Sequence, residues 1–286
     1  MKTKQAKYTT KRFDTMFPTN EACLEWLKNK QYPNGIECPV CKKITKHHKF
    51  AKRPVYECDY CGHQVSPLAK TIFRKSATPL KVWFEAMYEM SNTRTGYSAK
   101  ALQRKTGVTY KTAWRMFKQI RKLLSENTPL FSGIVEIDET YIGGVHHGRT
   151  GRGAGGKTPV IGIVERKGDV GTKVVDNLKW STVMPYIAEN VAKRSVICTD
   201  EFNIYDGLNH SSYIHRTINH SENQYANGLI HTNNIEGFWS LVKRGISGCY
   251  HHVSPKYLQS YINEYSFRYN HRDDETAMFV NVLNQV

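Results

Sequence analysis

The sequence predicts a multi-domain α/β protein, and three observations predict it. Two Cys-x-x-Cys pairs, Cys38/Cys41 and Cys58/Cys61, lie close together near the N-terminus. Helical patterns then run from about residue 79 to 124, interrupted by a glycine turn. From Gly133 the pattern changes to short apolar runs of strand length. The expected boundaries are 1–72 for an N-terminal helix and cysteine module, 73–128 for a helical module, and 129–286 for a mixed-sheet domain.

The first element is a short helix over 12–31, with Phe17-Pro18-Thr19-Asn20-Glu21 as its capped start and Leu24, Trp26 and Leu27 as its apolar positions. Residues 33–66 are turn-rich and hold the cysteine pairs. Sixteen residues separate the two pairs, the spacing of a closed four-thiolate tetrahedral Zn²⁺ site, which makes this stretch a zinc ribbon. So short a segment buries too little to fold alone, so the metal holds it. Lys42, Lys43, Lys46, Lys49, Lys52 and Arg53 surround it. Cys23, Cys198 and Cys249 lie apart and read as small buried hydrophobes.

Residues 79–92 predict an amphipathic helix, and 97–124 two more helices around Thr106-Gly107-Val108-Thr109. A helix, a glycine turn and a second basic helix match a helix-turn-helix, whose second helix enters the major groove of double-stranded DNA. Val108, Ala113, Trp114 and Phe117 would face the core, and Tyr110, Lys111, Thr112 and Arg115 the DNA.

Strands are expected at 133–142, 159–166 and 172–178, then a helix at 181–193 and a strand ending at Asp200. A weak strand near 213–218 precedes a helix at about 233–247, and a last helix spans about 255–269. Asp138 and Asp200 each close an apolar run, and Glu236 opens the helical pattern. Carboxylates at two strand ends and one helix start can converge on one point. Three of them make poor core and good ligands for hard divalent cations such as Mg²⁺ or Mn²⁺. Three strands, a helix, a strand with the second acid and a late helix with the third follow the order of an RNase H-like catalytic domain. Two ions about 3.5–4 Å apart could there activate a nucleophile and stabilise a leaving oxygen. Glu139, Glu201 and Asp176 are neighbouring acids that could be confused with the ligands. Lys243 lies two turns beyond Glu236 on the same helix face, beside Arg244, where it could reach a phosphate.

The 286 residues carry 41 Lys+Arg against 25 Asp+Glu, a formal charge of +16. That excess favours a polyanionic partner, while 17 Tyr, 11 Phe and 5 Trp argue for packed cores over a disordered basic tail. No run approaches a membrane span, and no apolar signal segment follows the basic Met1–Lys7 stretch. A cytoplasmic protein with reduced cysteines and no membrane partner is expected. Gly151–Thr158 spells the P-loop pattern, but the β-like Pro159–Val164 follows where a P-loop needs a helix, so no nucleotide partner is expected.

Taken together, the four cysteines, the helix-turn-helix, Val135–Gly144 and His231–Arg244 resemble bacterial insertion-sequence transposases with an N-terminal zinc ribbon and a DDE core. The resemblance runs from about Phe13 to Arg272. It implies catalytic acids at Asp138, Asp200 and Glu236 holding Mg²⁺ or Mn²⁺, the family's basic residue at Lys243, and a helper polar residue at Asn233. It implies binding to the element's terminal inverted repeats, strand cleavage, strand transfer into target DNA, and a homo-oligomer that pairs two ends. A zinc-ribbon and helix-turn-helix regulator without catalysis would share the N-terminal half, and an RNase H-like nuclease the C-terminal half.

Overall fold

A computed structural model describes residues 8–51, 53–125, 129–143, 156–218, 231–274 and 276–286. Lys52 and most of the glycine-rich stretch at 143–157 lie outside the described residues. Its end does not: Lys157 and Thr158 begin a strand, where a P-loop would open a helix. The chain divides into two compact units.

One unit holds the residues up to Thr93, Ala99–Ile120 and Glu275–Val286. The single helix expected over 12–31 is two: α1 (Thr10–Met16) and α2 (Asn20–Gln31). Pro18 pushes Phe17 out of helical geometry, and the Thr19 hydroxyl then accepts the N–H of Ala22 to restart the helix. The cysteine module is a three-stranded antiparallel sheet, β1 (His47–Lys49), β2 (Tyr56–Cys58) and β3 (Gln64–Val65). Helix α3 (Leu80–Asn92) buries Trp83, Phe84 and Met87.

The helix-turn-helix pattern becomes α4 (Ala99–Thr106) and α5 (Tyr110–Leu123), joined through Gly107 at φ +74°. Only a residue without Cβ takes that left-handed conformation freely. Ala113 and Phe117 are buried as expected, but Trp114 and Val108 are only half-buried; Leu102, Met116 and Ile120 complete the core face. A seven-residue helix that the sequence did not reveal, α9 (Met278–Asn284), sends Phe279 into a cluster of Tyr8, Phe13, Phe17 and Tyr88. It is too short to show a helical period.

The other unit holds Arg94–Ser98 and Arg121–Asp274. Its strands are β4 (Ile134–Gly143), β5 (Lys157–Glu165), β6 (Val170–Val174), β7 (Val196–Thr199) and β8 (Ile214–Thr217), in the order β6-β5-β4-β7-β8. The first three are antiparallel, while β7 pairs parallel to β4 and β8 parallel to β7. This is the mixed sheet the element order predicted. Alternation along β4 sends Val135 and Ile137 to a core shared with α6 (Trp180–Asn190) and a 3-10 segment at Asn203–His210. The opposite face packs on α7 (Asn233–Gly245) and α8 (Pro255–Asn270) through Ile235, Phe238, Trp239, Val242, Leu258 and Ile262. At Gly162, a Cβ would come 2.5 Å from Trp239 and 2.8 Å from Ile235, so the bare backbone of β5 lets α7 lie close to the sheet. Gly162 is also the register partner of Asp138.

Past α7 the chain makes a π-turn, Ile246–Tyr250, and below it lies a buried ionic cluster. Glu264 pairs with Arg121 at 2.8 Å and Arg268 at 2.5 Å, and the Arg121 guanidinium sits 3.8 Å from the centre of the Tyr261 ring. Burial alone would raise the Glu264 carboxyl; the two guanidiniums outweigh it and hold it below its ordinary value. Of the isolated cysteines, Cys23 and Cys198 are buried as expected, whereas Cys249, on the π-turn, is only half-buried.

Candidate functional site

The sulfurs of Cys38, Cys41, Cys58 and Cys61 lie within 4.8 Å of one another, with Cys38–Cys61 at 3.4 Å and Cys41–Cys58 at 3.9 Å. A tetrahedron of sulfurs 2.3 Å from zinc has edges of about 3.8 Å, so the cluster fits that ion. The hairpins set the spacing: backbone N–H groups of Lys42 and Gly62 bond back to the carbonyls of Cys38 and Cys58. The Thr45 hydroxyl, 3.0 Å from the Cys58 sulfur, pulls that thiol down to about 6, toward the thiolate a metal needs.

The acidic centre lies on the sheet. Asp138 was expected at a strand end, but pairing with β5 carries β4 on to Gly143, so it stands mid-strand. Asp200 follows directly on β7, the parallel neighbour of β4. Oxygens of Asp138, Glu139 and Asp200 come within 4.8 Å of one another. Glu236 lies in the first turn of α7, outside that tight group, with its carboxylate held by the Thr232 hydroxyl at 2.6 Å. It is still close enough for its charge to act on Asp138. Burial, followed by the charges of Glu139, Asp200 and Glu236, pushes the Asp138 carboxyl from 3.8 up to about 8. Glu139 also accepts the hydroxyl of buried Tyr205 at 3.0 Å. Asp200 turns one oxygen to the N–H of Phe202 at 3.1 Å. Such a concentration of carboxylates, with Asp138 raised first by burial and then by its neighbours, fits divalent cations with oxygen ligands.

One acid at this site was missed from the sequence. Glu136, two residues before Asp138, is fully buried and accepts hydrogen bonds from Arg166 and from Asn234 and Ile235 at the start of α7. The period of two along β4 was the available signal, since it puts Glu136 on the Asp138 face.

Residues 130–270 match the ISXO2-like transposase domain, and residues 18–64 match a transposase zinc-ribbon domain. A transposase-like protein of Haemophilus influenzae is 31% identical over 115 residues, covering 40% of this chain and 90% of its own length. The chain belongs to the ISXO2-like transposases. A protein in the transposable element ISH50 of Halobacterium salinarum is 27% identical over 273 residues, covering 88% of this chain and 91% of its own. A chain of the simian T-cell lymphotropic virus intasome in complex with PP2A regulatory subunit B56 gamma aligns over 58% of this chain and 63% of that one, at 15% identity and a TM-score of 0.30, too distant to build on.

In this ISXO2-like transposase, the residues expected to face DNA are not equally available. Tyr110 is half-exposed and Lys111 exposed. Thr112 shares its hydroxyl with that of Thr109 at 3.0 Å, within its own turn. Arg115 is exposed, yet its guanidinium bonds the Ser76 hydroxyl and lies 5.8 Å from the centre of the Trp83 ring. Lys243 and Arg244 are both exposed near the C-terminal end of α7. Among the described residues, no helix is long and apolar enough to cross a membrane.

Proposed function

We propose that this transposase is an active DDE enzyme that binds the terminal inverted repeats of its element and carries out metal-dependent strand cleavage and strand transfer. The observation that carries this reading is the meeting of Asp138 and Asp200 on adjacent parallel strands, with the Asp138 carboxyl raised to about 8. Carboxylates so arranged are at ease only with cations among them.

In this reading Asp138, Asp200 and Glu236 hold two Mg²⁺ or Mn²⁺ ions. When bound, these supply Lewis acidity at the scissile phosphate and an acidified water. Asp138 and Asp200 fix the sheet side of the site, and Thr232 keeps the Glu236 carboxylate aimed. Lys243 neutralises a phosphate beside the break, with Arg244 on the next stretch of backbone. The zinc ribbon and α5, through Tyr110, Lys111, Thr112 and Arg115, grip the element end. Arg115 would have to leave Ser76 to do so. In this reading residues 1–72 and 73–128 would hold the end and 129–286 would cut it, with Glu275–Val286 packed in the unit that carries the ribbon. Two or more copies pair two ends, in a cytoplasmic, nucleoid-bound complex.

A donor-plasmid transposition assay with the flanking DNA of the source element as ends tests the whole reading. Wild type should move the marker; Glu236→Gln should bind the ends and move nothing. If both are inert yet both bind the ends, a DNA-binding regulator without catalysis replaces the enzyme. Cutting of branched DNA without joining would point to a nuclease.

The raised Asp138 carboxyl gives a second test. Below pH 8 a cation must displace its proton, so Mn²⁺ affinity should climb roughly tenfold per pH unit from 6 and level off above 8. At pH 7, calorimetry in buffers of different ionisation enthalpy should show about one proton released per site. Release of none would mean the carboxyl is already ionised, contrary to this reading.

A further inference from the structure

Glu136 occupies an unusual position for a carboxylate. It is fully buried on β4, with its side chain on the same face as Asp138. One oxygen, Oε2, accepts the backbone N–H of Asn234 at 2.9 Å and of Ile235 at 3.2 Å. The other, Oε1, accepts Asn234 Nδ2 at 2.8 Å and Arg166 Nε at 2.8 Å. Arg166 also donates through Nη2 to the His231 carbonyl at 2.9 Å, and His231 Nδ1 lies 3.1 Å from Oε1.

Two consequences follow from this geometry. A carboxylate offers about four acceptor positions, and four donors fill them, so Glu136 has no lone pair left for a cation. It is not a fourth metal ligand. The bonds also fall on the first turn of α7, where backbone N–H groups have no partner within the helix. Thr232, at the N-cap position, makes no side-chain cap bond, because its hydroxyl is turned to Glu236. The cap of α7 is thus supplied from the sheet, by a negative charge at the positive end of the helix. The Arg166 guanidinium compensates that buried charge.

We infer that Glu136 is the positioning residue for Glu236: it latches the start of α7 to the strand bearing Asp138, and so fixes how far apart the acids stand. A helix start free to shift or unwind by one residue would carry Glu236 out of reach while leaving Asp138 and Asp200 in place. The inference rests on the proposed reading of Glu236 as a metal ligand.

The test is a double-mutant cycle on the full chain without DNA, with Mn²⁺ binding followed by electron paramagnetic resonance. Glu136→Gln keeps the shape but turns an N–H₂ group toward N–H donors. It should weaken Mn²⁺ binding about 10- to 100-fold, the usual effect of losing a group that orients a ligand. Glu236→Gln should also weaken it, and the double variant should bind no worse than Glu236→Gln alone. In cleavage assays Glu136→Gln should lower kcat and leave KM for the end DNA unchanged. If Glu236→Gln weakens binding but Glu136→Gln does not, the latch is wrong and the proposed function stands. If Glu236→Gln binds Mn²⁺ normally, the ligand role fails and the latch with it. Additive losses in the double variant would make Glu136 a general stabiliser, which also overturns the inference. Should Glu136→Gln not fold, Asn234→Ala removes only the side-chain donor to Oε1, and the same cycle applies. In wild type, the Asn234 and Ile235 amides should exchange hydrogen slowly for a first helical turn; fast exchange would show that the latch does not hold.

Discussion

Asp138→Asn should cost at least about a thousandfold in strand cleavage while making the metal-free protein more stable at pH 8. Loss of a ligand removes several kcal/mol of charge stabilisation at the phosphate, and about 4 kcal/mol is a thousandfold in rate. The gain in stability has the same origin. A carboxyl raised from 3.8 to about 8 makes the folded chain bind more protons than the unfolded one between those values. The stability it contributes is complete below pH 3.8 and is lost as pH rises through 8. Asparagine stays neutral and escapes that loss. Thermal melting at pH 6 and 8.5 without divalent cations, beside cleavage of labelled element ends, checks both halves. Wild-type cleavage by the variant would remove Asp138 from the site. A variant less stable than wild type at pH 8.5 would mean that the carboxylate is well accommodated without metal.

Stripping the zinc, or replacing Cys38 with serine, should unfold the ribbon and abolish end binding, with the sheet of the other unit left intact. Structural zinc contributes on the order of 10–16 kcal/mol in small sites. The three strands of the ribbon have three, three and two residues, far too little to replace it. Chelation should expose 33–66 to protease and raise Kd for the repeats at least a hundredfold, whereas Mn²⁺ binding at the acids should survive. Unchanged end binding by the apo-protein would mean that the ribbon takes no part in recognition. Loss of Mn²⁺ binding as well would mean that the ribbon supports the acidic centre.

Much of this was legible in the residues because the signals are local. Cysteine spacing announces a zinc site, Gly107 a helical turn, and the apolar run that Asp138 closes a buried strand. What stayed hidden depends on partners distant in sequence. Glu136 looks like an interruption of an apolar run until Asn234 and Arg166 are seen to close on it. Sequence position leaves Glu139 a neighbour that could be confused with the ligands; only the folded sheet brings its oxygen to those of Asp138 and Asp200. The break between α1 and α2 is the exception: Pro18 and Thr19 spell a helix start, and the seven residues of α1 before it are too few to show a period of their own. The Arg121–Glu264–Arg268 cluster gave no signal, because a lone charge in a sequence reads as surface until its counter-charge is found.

Helix α9 bears on how the protein is made. Phe279 fills the aromatic cluster of Tyr8, Phe13, Phe17 and Tyr88, yet the ribosome reaches it only after the whole sheet-bearing unit has been synthesised. The earliest part of the nascent chain therefore cannot close its own core while translation is under way. A polypeptide cut short by a premature stop or a frameshift before Met278 would carry the ribbon and α5 on an incomplete scaffold. Such fragments should be cut by protease faster than the full chain, because the cluster that Phe279 fills is left open.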